Sequence, residues 1–230
     1  MASESQAELY FELAEMAGGF IHELKNQINT LSLNLQLLAE DFESPESPRE
    51  RRARDRANRL TDECRRLVEL SNDFLRFARA NQPNLVPMDL DTAVTRMVDF
   101  LTPTARAQNI DIVWHSSPEL PTVKLDPELF DRMLLNLMLN AEDSMPNGGT
   151  MTLQARFEGG RVLLEVIDTG CGMAEDLVKK VFQPYVTTKI DGHGLGLATV
   201  RKIVLAHGGD ITVRSELDRG TKFTVSLPVA

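Results

Sequence analysis

The sequence predicts a helical hairpin suited to a four-helix bundle, followed by a two-layer α/β sandwich. Three observations carry that prediction. Residues 9–42 keep one apolar stripe at spacings of three and four, the signature of a long helix. Residues 53–78 repeat the pattern at a steady four-three spacing, a coiled-coil seam. Past Asn81 the helical repeats give way to short apolar or alternating runs between turn residues, which read as strands mixed with helices.

The first stripe runs through Leu9, Leu13, Met16, Phe20, Leu24, Ile28, Leu31, Leu35, Leu38 and Phe42. Glu43 to Pro48, with two Ser-Pro steps, breaks it. The second stripe is Ala53, Ala57, Leu60, Cys64, Leu67, Ser71, Phe74 and Ala78. Two long helices and a short loop make an antiparallel hairpin. A single hairpin is too thin to bury both stripes, so a second copy of the chain is the economical complement, giving a dimeric four-helix bundle. Asn81 to Pro87 holds two prolines within five residues and reads as a break. The expected organisation is a helical domain over 1–82, a linker over 83–88 and an α/β domain over 89–230.

In the second part, Asp91 is expected to cap a helix reaching about Gln108. A strand follows at Ile110 to Trp114, and a short one near Val123. Asp126 or Pro127 opens a strongly apolar helix through Ser144. Met151 to Phe157 and Val162 to Ile167 flank a Glu158-Gly159-Gly160 hairpin signal. A loop-rich stretch from Asp168 to Gly194 precedes a helix to about His207. Strands at Asp210 to Ser215 and Thr221 to Leu227 close the domain.

Composition narrows the function. Hydrophobic residues make up 42% of 230, enough for a core, and charged residues 26%. The net charge of -9 argues against a general nucleic-acid binder, which needs a basic face. Cys64 and Cys171 are too few for a disulfide framework or a metal site and fit a reducing compartment. No apolar run approaches the roughly 20 residues that span a bilayer, and the acidic N-terminus has no signal-peptide pattern. The expectation is a cytoplasmic chain, with membrane contact only if it is a fragment of a longer receptor.

Four motifs in order carry chemistry. Asn136 and Asn140 stand at i and i+4 on one helix face; their carboxamides can ligate Mg²⁺ through oxygen or donate to phosphate. Asp168-Thr-Gly170-Cys-Gly172 ends an apolar strand, where a carboxylate could accept the exocyclic amine of adenine. Gly192-His-Gly194-Leu195-Gly196 opens a helix, leaving free N–H groups toward an anion. Gly220-Thr221 joins two strands, with a hydroxyl able to reach the adenine edge through water. Taken singly, each has a bland alternative: surface asparagines, a strand-ending turn, a hinge before a helix, an ordinary hairpin.

Together with Phe182-Gln-Pro-Tyr-Val-Thr-Thr-Lys189, they resemble the N, G1, F, G2 and G3 boxes of histidine kinases, members of the GHKL ATPase superfamily. The resemblance covers about Asp89 to Ala230 and implies the Bergerat-type ATP-binding sandwich, with Met173 to Gly192 as a mobile lid. It implies that Asn136 and Asn140 hold Mg²⁺ and phosphates and that Asp168, with Gly170, Gly172 and Thr221, receives the adenine. Lys189, Gly192, Gly194, Leu195 and Gly196 would meet the phosphates. Cys171 is expected as a small packing residue of the G1 turn.

The first half supplies an acceptor. His22 lies two residues from both Phe20 and Leu24, roughly 200° round the helix, so it points off the stripe. A histidine so placed is by default an unremarkable surface residue. Glu23 beside it can take the imidazole proton or fix the tautomer, and Asn26 lies one turn on. His22-Glu-Leu-Lys-Asn26 resembles the H-E-x-x-N box of the same family. That resemblance implies phosphorylation of His22 from ATP, transfer to a response regulator receiver domain, and a dephosphorylating role for Asn26. The family's proline after the asparagine is Gln27 here, which predicts a stiffer first helix. Rival readings are a kinase-inactive ATP-binding scaffold and a GHKL serine kinase or anti-sigma factor.

Overall fold

A computed structural model of the chain describes residues 21, 23–79, 83–189 and 192–229. The chain divides into two compact units, Met1–Arg79 and Ala80–Ala230.

In the first unit, helix α1 covers residues 23–40 and helix α2 covers Pro48–Arg79. The helix runs unbroken through Gln27. His22 lies outside the described residues. A capping box starts α2: the Glu50 N–H donates to Ser47 Oγ at 3.2 Å, and the Glu50 carboxylate accepts the N–H groups of Glu46 at 2.7 Å and Ser47 at 3.3 Å. Pro48 sits where its missing N–H costs nothing. Lys25 Nζ donates to Asn72 Oδ1 at 2.9 Å, tying the helices together.

The predicted second stripe divides in two. Ala57, Thr61, Cys64 and Ser71 are buried within the hairpin; they are small, so α1 can approach closely. Leu60 and Leu67 of the expected seam are exposed, as are Leu24, Leu31 and Leu38 of α1. Each set repeats every seven residues.

The second unit contains β1 (Val86–Met88), α3 (Leu90–Ala107), β2 (Ile110–Ser116), β3 (Val123–Leu125), α4 (Pro127–Ser144), β4 (Gly149–Glu158), β5 (Arg161–Asp168), α5 (Glu175–Val178), α6 (Gly196–Ala206), β6 (Asp210–Glu216) and β7 (Gly220–Pro228). The five-stranded sheet has the order β2-β4-β5-β7-β6. Only β2 and β4 pair in parallel; the other pairs are antiparallel. The parallel step is bridged by β3 and α4, a crossover of the length such pairs require.

Even-numbered positions of β5 (Val162, Leu164, Val166) face inward with Leu153 of β4 and Phe223 and Val225 of β7. They meet Val94 and Met97 of α3, Phe130, Leu134 and Leu137 of α4, and Val200 and Ile203 of α6 in one core. Burying each large apolar side chain contributes about 1.5–3 kcal/mol. This is a two-layer sandwich, as predicted.

Several details differ from expectation. The cap of α3 is Asp89, not Asp91: Asp89 accepts the Asp91 N–H at 3.1 Å and the Thr92 hydroxyl at 2.7 Å. Asp91 instead accepts the Trp114 indole N–H at 2.9 Å, pinning α3 to β2. The stretch 83–88, expected as a linker, ends in β1, which pairs with β3; three residues without alternation give no strand signal. The loop-rich stretch after Asp168 holds the single turn α5. His207 is the C-cap of α6. Its Nδ1–H donates to the Ile203 carbonyl and its Nε2 accepts the Asp126 N–H at 2.9 Å, locking the end of α6 to the start of α4.

The sheet's other face carries a buried acid. Gln154, Glu165 and Thr224 stand in one row across β4, β5 and β7, and Glu165 is 1% exposed. Burial opposes its charge. Hydrogen bonds from Gln154, Lys222 (3.1 Å) and Arg156 (3.1 Å) outweigh that and hold its carboxyl at about 2. The folded value lies below the unfolded one, so this stabilisation is full above about pH 4.5 and fades as pH falls toward 2. Unfolding free energy measured by denaturant titration should drop by on the order of 2 kcal/mol across that window. Glu165→Gln should flatten the drop; an unchanged pH profile in that variant would exclude Glu165 as its source.

Candidate nucleotide site

The last residue of β5 organises one end of the sandwich. Asp168 is 3% exposed, and its Oδ1 accepts the N–H of Gly170 at 2.9 Å and of Thr221 at 3.2 Å. Ser144, the last residue of α4, donates its hydroxyl to the Ala141 carbonyl at 2.7 Å and stands against Gly170. Burial pushes the Asp168 carboxyl above its ordinary range, and its hydrogen bonds pull against it.

The turn after Asp168 is fixed on both sides. The Cys171 N–H donates to the Ser144 carbonyl at 3.0 Å, and the Cys171 carbonyl accepts the Asp218 N–H at 2.9 Å. Gly172 has φ +64°, and a Cβ there would lie 2.0 Å from the Glu216 carbonyl oxygen, so only glycine fits. Cys171 itself is exposed rather than packed, contrary to expectation: both its backbone groups are engaged and its side chain turns to solvent. Thr221 acts first through its backbone N–H; its hydroxyl pairs with Ser215 Oγ at 2.9 Å. Ser215 also accepts the Met173 N–H at 2.8 Å, closing the loop onto β6.

Helix α4 brings Asn136 and Asn140 to one face, both partly exposed. Asn136 Oδ1 lies 3.6 Å from where a Cβ on Gly196 would stand, so the asparagine faces the glycine-rich segment across ordinary contact distance. That segment leads into α6, whose N-cap Leu195 is buried and makes no side-chain cap bond. The N–H groups at the head of α6 are thus not claimed by a capping side chain. Gly194 has φ +66° and a Cβ there would strike the Tyr185 backbone at 2.6 Å. Tyr185 N–H donates to the Gly194 carbonyl at 2.9 Å, joining the preceding stretch to the loop. Phe182 roots that stretch with an edge-on contact to Phe223, ring centroids 6.2 Å apart. Lys189 is exposed and its Nζ donates to Asp143 Oδ2 at 2.5 Å.

Among the described residues no cluster of three His, Cys, Asp or Glu could hold a metal. Two carboxamide oxygens on one helix face suit a hard divalent cation that takes most of its ligands from phosphate and water. The arrangement of Asn136 and Asn140 fits Mg²⁺ in that manner.

Comparison with known proteins gives the same reading from two directions. Residues 125–230 match the family model of histidine kinase-, DNA gyrase B- and HSP90-like ATPases. Residues 12–83 match the His Kinase A phospho-acceptor domain. The chain belongs to the sensor histidine kinase family. It is 32% identical over 217 residues to the sensor histidine kinase ZraS of Escherichia coli K12, covering 94% of this chain and 46% of that protein. With the alginate biosynthesis sensor protein KinB of Pseudomonas aeruginosa it shares 34% over 214 residues, 90% of this chain and 36% of KinB. The crystal structure of full-length ShkA in complex with AMPPNP superposes with a TM-score of 0.73 at 31% identity, over 94% of this chain and 46% of ShkA. The chain thus spans less than half the length of these relatives. Among the described residues no helix is long and apolar enough to cross a membrane.

Of the histidine kinase motif residues, Asn136, Asn140, Asp168, Gly170, Gly172, Lys189, Gly192, Gly194, Leu195, Gly196 and Thr221 all lie in the second unit, along α4, the end of β5 and the turn after it, the approach to α6 and the start of β7. Glu23 and Asn26 are exposed on α1. Ser144 escaped the sequence reading. Its signal was present, because 136, 140 and 144 continue one i, i+4 ladder of polar residues.

Gly172→Ala should destabilise the second unit by about 1–3 kcal/mol, since the Glu216 carbonyl must shift, and should weaken binding of a fluorescent ATP analogue. Because burial raises the Asp168 carboxyl, that binding should fall on acidification at a higher pH than an ordinary carboxylate would dictate. An acid limb unaltered in Asp168→Asn would assign the titration to another group.

Proposed function

We propose that the chain is an ATP-dependent histidine autokinase that phosphorylates His22 and passes the phosphoryl group to an aspartate of a response regulator receiver domain. One observation supports this reading: the same chain carries buried Asp168 amid the N, G1, G2 and G3 motifs and, earlier in its sequence, the His22-Glu23 and Asn26 motif. Family membership through both the ATPase and phospho-acceptor models supports it.

In this proposal Asp168 accepts the adenine amine, while Gly170 and Thr221 fix the carboxylate and Gly172 leaves room for a flat base. Asn136 and Asn140 hold Mg²⁺ and phosphate. Mg²⁺ supplies neutralisation of phosphate charge. Lys189 and the backbone of Gly192, Gly194, Leu195 and Gly196 receive the phosphates, so catalysis rests on positioning and electrostatics. A neutral ring nitrogen of His22 attacks the γ-phosphorus, the bond to the bridging oxygen breaks and ADP leaves. Glu23 accepts the imidazole proton. Asn26, exposed one turn away, orients water for hydrolysis of the regulator's phosphoaspartate. A cytoplasmic location belongs to the same proposal, with membrane contact arising only through a longer receptor.

A homodimer completes the hairpin. Leu31 and Leu60 are each 53% exposed in the single chain, and the leucines at 24, 31 and 38 and at 60 and 67 form apolar lines that a second hairpin would cover.

Incubation with γ-labelled ATP and Mg²⁺ should give an acid-labile, base-stable label that His22→Gln abolishes. Label that survives this substitution would overturn the assignment, and a chain that binds ATP without ever taking label would favour the inactive scaffold. Light scattering should report a dimer. Leu60→Glu with Leu67→Glu should convert it to a monomer without removing nucleotide binding.

A further inference from the structure

Helix α4 carries an acidic residue on the face of its two asparagines. At 100° per residue Asp143 returns to roughly 20° from Asn136 round the axis. Its carboxylate is the partner of Lys189: Nζ to Oδ2 is 2.5 Å, with the two side chains 43% and 55% exposed. The Lys189 backbone is held apart from that contact. Its N–H donates to Thr187 Oγ1 at 3.0 Å, and its carbonyl accepts the Gly192 N–H at 3.4 Å. Lys189 is therefore fixed by its main chain at the start of the glycine-rich segment, while its charge is directed to α4.

This placement has an electrostatic consequence. An anion on the asparagine stripe stands where the phosphates of a nucleotide would gather, and it neutralises the cation assigned to them. We propose that Asp143 competes with the phosphates for Lys189 and thereby sets both the affinity for ATP and its dependence on a divalent cation. The proposal rests on the reading of Lys189 as a phosphate ligand. Without a divalent cation, the triphosphate has to draw Lys189 from Asp143 and sit near the carboxylate left behind. A divalent cation lowers the phosphate charge that Asp143 repels, so the penalty shrinks. Asp143 is a positioning residue here, acting through Lys189.

The test is nucleotide binding by calorimetry, with ATP in EDTA and with ATP plus Mg²⁺, on the full chain. Asp143→Asn should tighten metal-free binding by about three- to tenfold, the range expected for releasing a partly exposed ion pair beside a polyanion. The gain with Mg²⁺ should be smaller. Asp143→Glu should bind as the parent does. In a Lys189→Gln background, Asp143→Asn should give less than about half of its gain on a logarithmic scale, because the competition is gone. Unchanged or weaker metal-free binding in Asp143→Asn overturns the proposal, as does an equal gain with and without Lys189, which would reduce Asp143 to a general charge. If Lys189→Gln alone leaves ATP affinity unaltered, the underlying phosphate reading fails instead. A readout independent of nucleotide is tryptic cleavage after Lys189, which should be faster in Asp143→Asn than in the parent. Equal rates would likewise count against the pairing.

Discussion

Asp168 ends β5 nearly out of water, and backbone N–H groups from two segments converge on its carboxyl while a third segment holds the first of them. The N–H of Gly170 comes from the turn that follows and the N–H of Thr221 from β7, and the turn is bound to the end of α4 by the Cys171 N–H on the Ser144 carbonyl. An ionised carboxylate left buried without partners costs several kcal/mol, whereas hydrogen bonds to a charged group contribute about 1.5–3 kcal/mol each. The three segments must therefore keep their relative positions for the acid to be tolerated. The same condition places the C-terminal end of α4, at Ser144, against the G1 turn. Gly172 and Gly220 follow from this closeness: a Cβ on either would come within 2.0 Å of a backbone oxygen.

A second lock holds the opposite end of α4. His207 accepts the N–H of Asp126 and donates to the last turn of α6. Asp126 caps α4 through the Leu129 N–H and also accepts the N–H of Asn84. Helix α4 is thus gripped at its start by α6 and the entering chain, and at its end by the Asp168 network. Its polar face is left as the adjustable part. That division suits a site in which the base is received by a rigid pocket and the phosphates by groups that can change partner.

Much of this was legible in the sequence because the physics was local. Amphipathic spacing gave the helices, turn residues the strand limits, and i, i+4 asparagines the face of α4. What was not legible depended on contacts between distant segments. Asp89 and Asp91 are equivalent as caps by composition; the indole of Trp114, 23 residues on, decides between them by taking Asp91. The three residues of β1 are a strand only because β3 lies beside them. The heptad seam of α2 looked single, yet Ala57, Thr61 and Cys64 are small enough for α1 to cover while Leu60 and Leu67 are left outside. Cys171 read as a packing residue because its neighbours are glycines, but the turn bonds both its backbone groups and leaves its side chain exposed.

The two halves of the proposed nucleotide site, one for base and one for phosphates, also differ in what holds them. The base side is secured by buried bonds to Asp168 and by strand pairing, which exchange with water only through local unfolding. The phosphate side is secured by more exposed contacts: Lys189 with Asp143 and the Tyr185 N–H with the Gly194 carbonyl. Exposed ion pairs contribute about 0–1 kcal/mol, small against the binding energy of a nucleotide. A ligand that favours other partners for these groups can therefore rearrange this side without disturbing Asp168. Only groups whose present contacts are weak can be recruited in that way, and Lys189, the cation proposed for phosphate, is paired with an exposed carboxylate and lies outside the core.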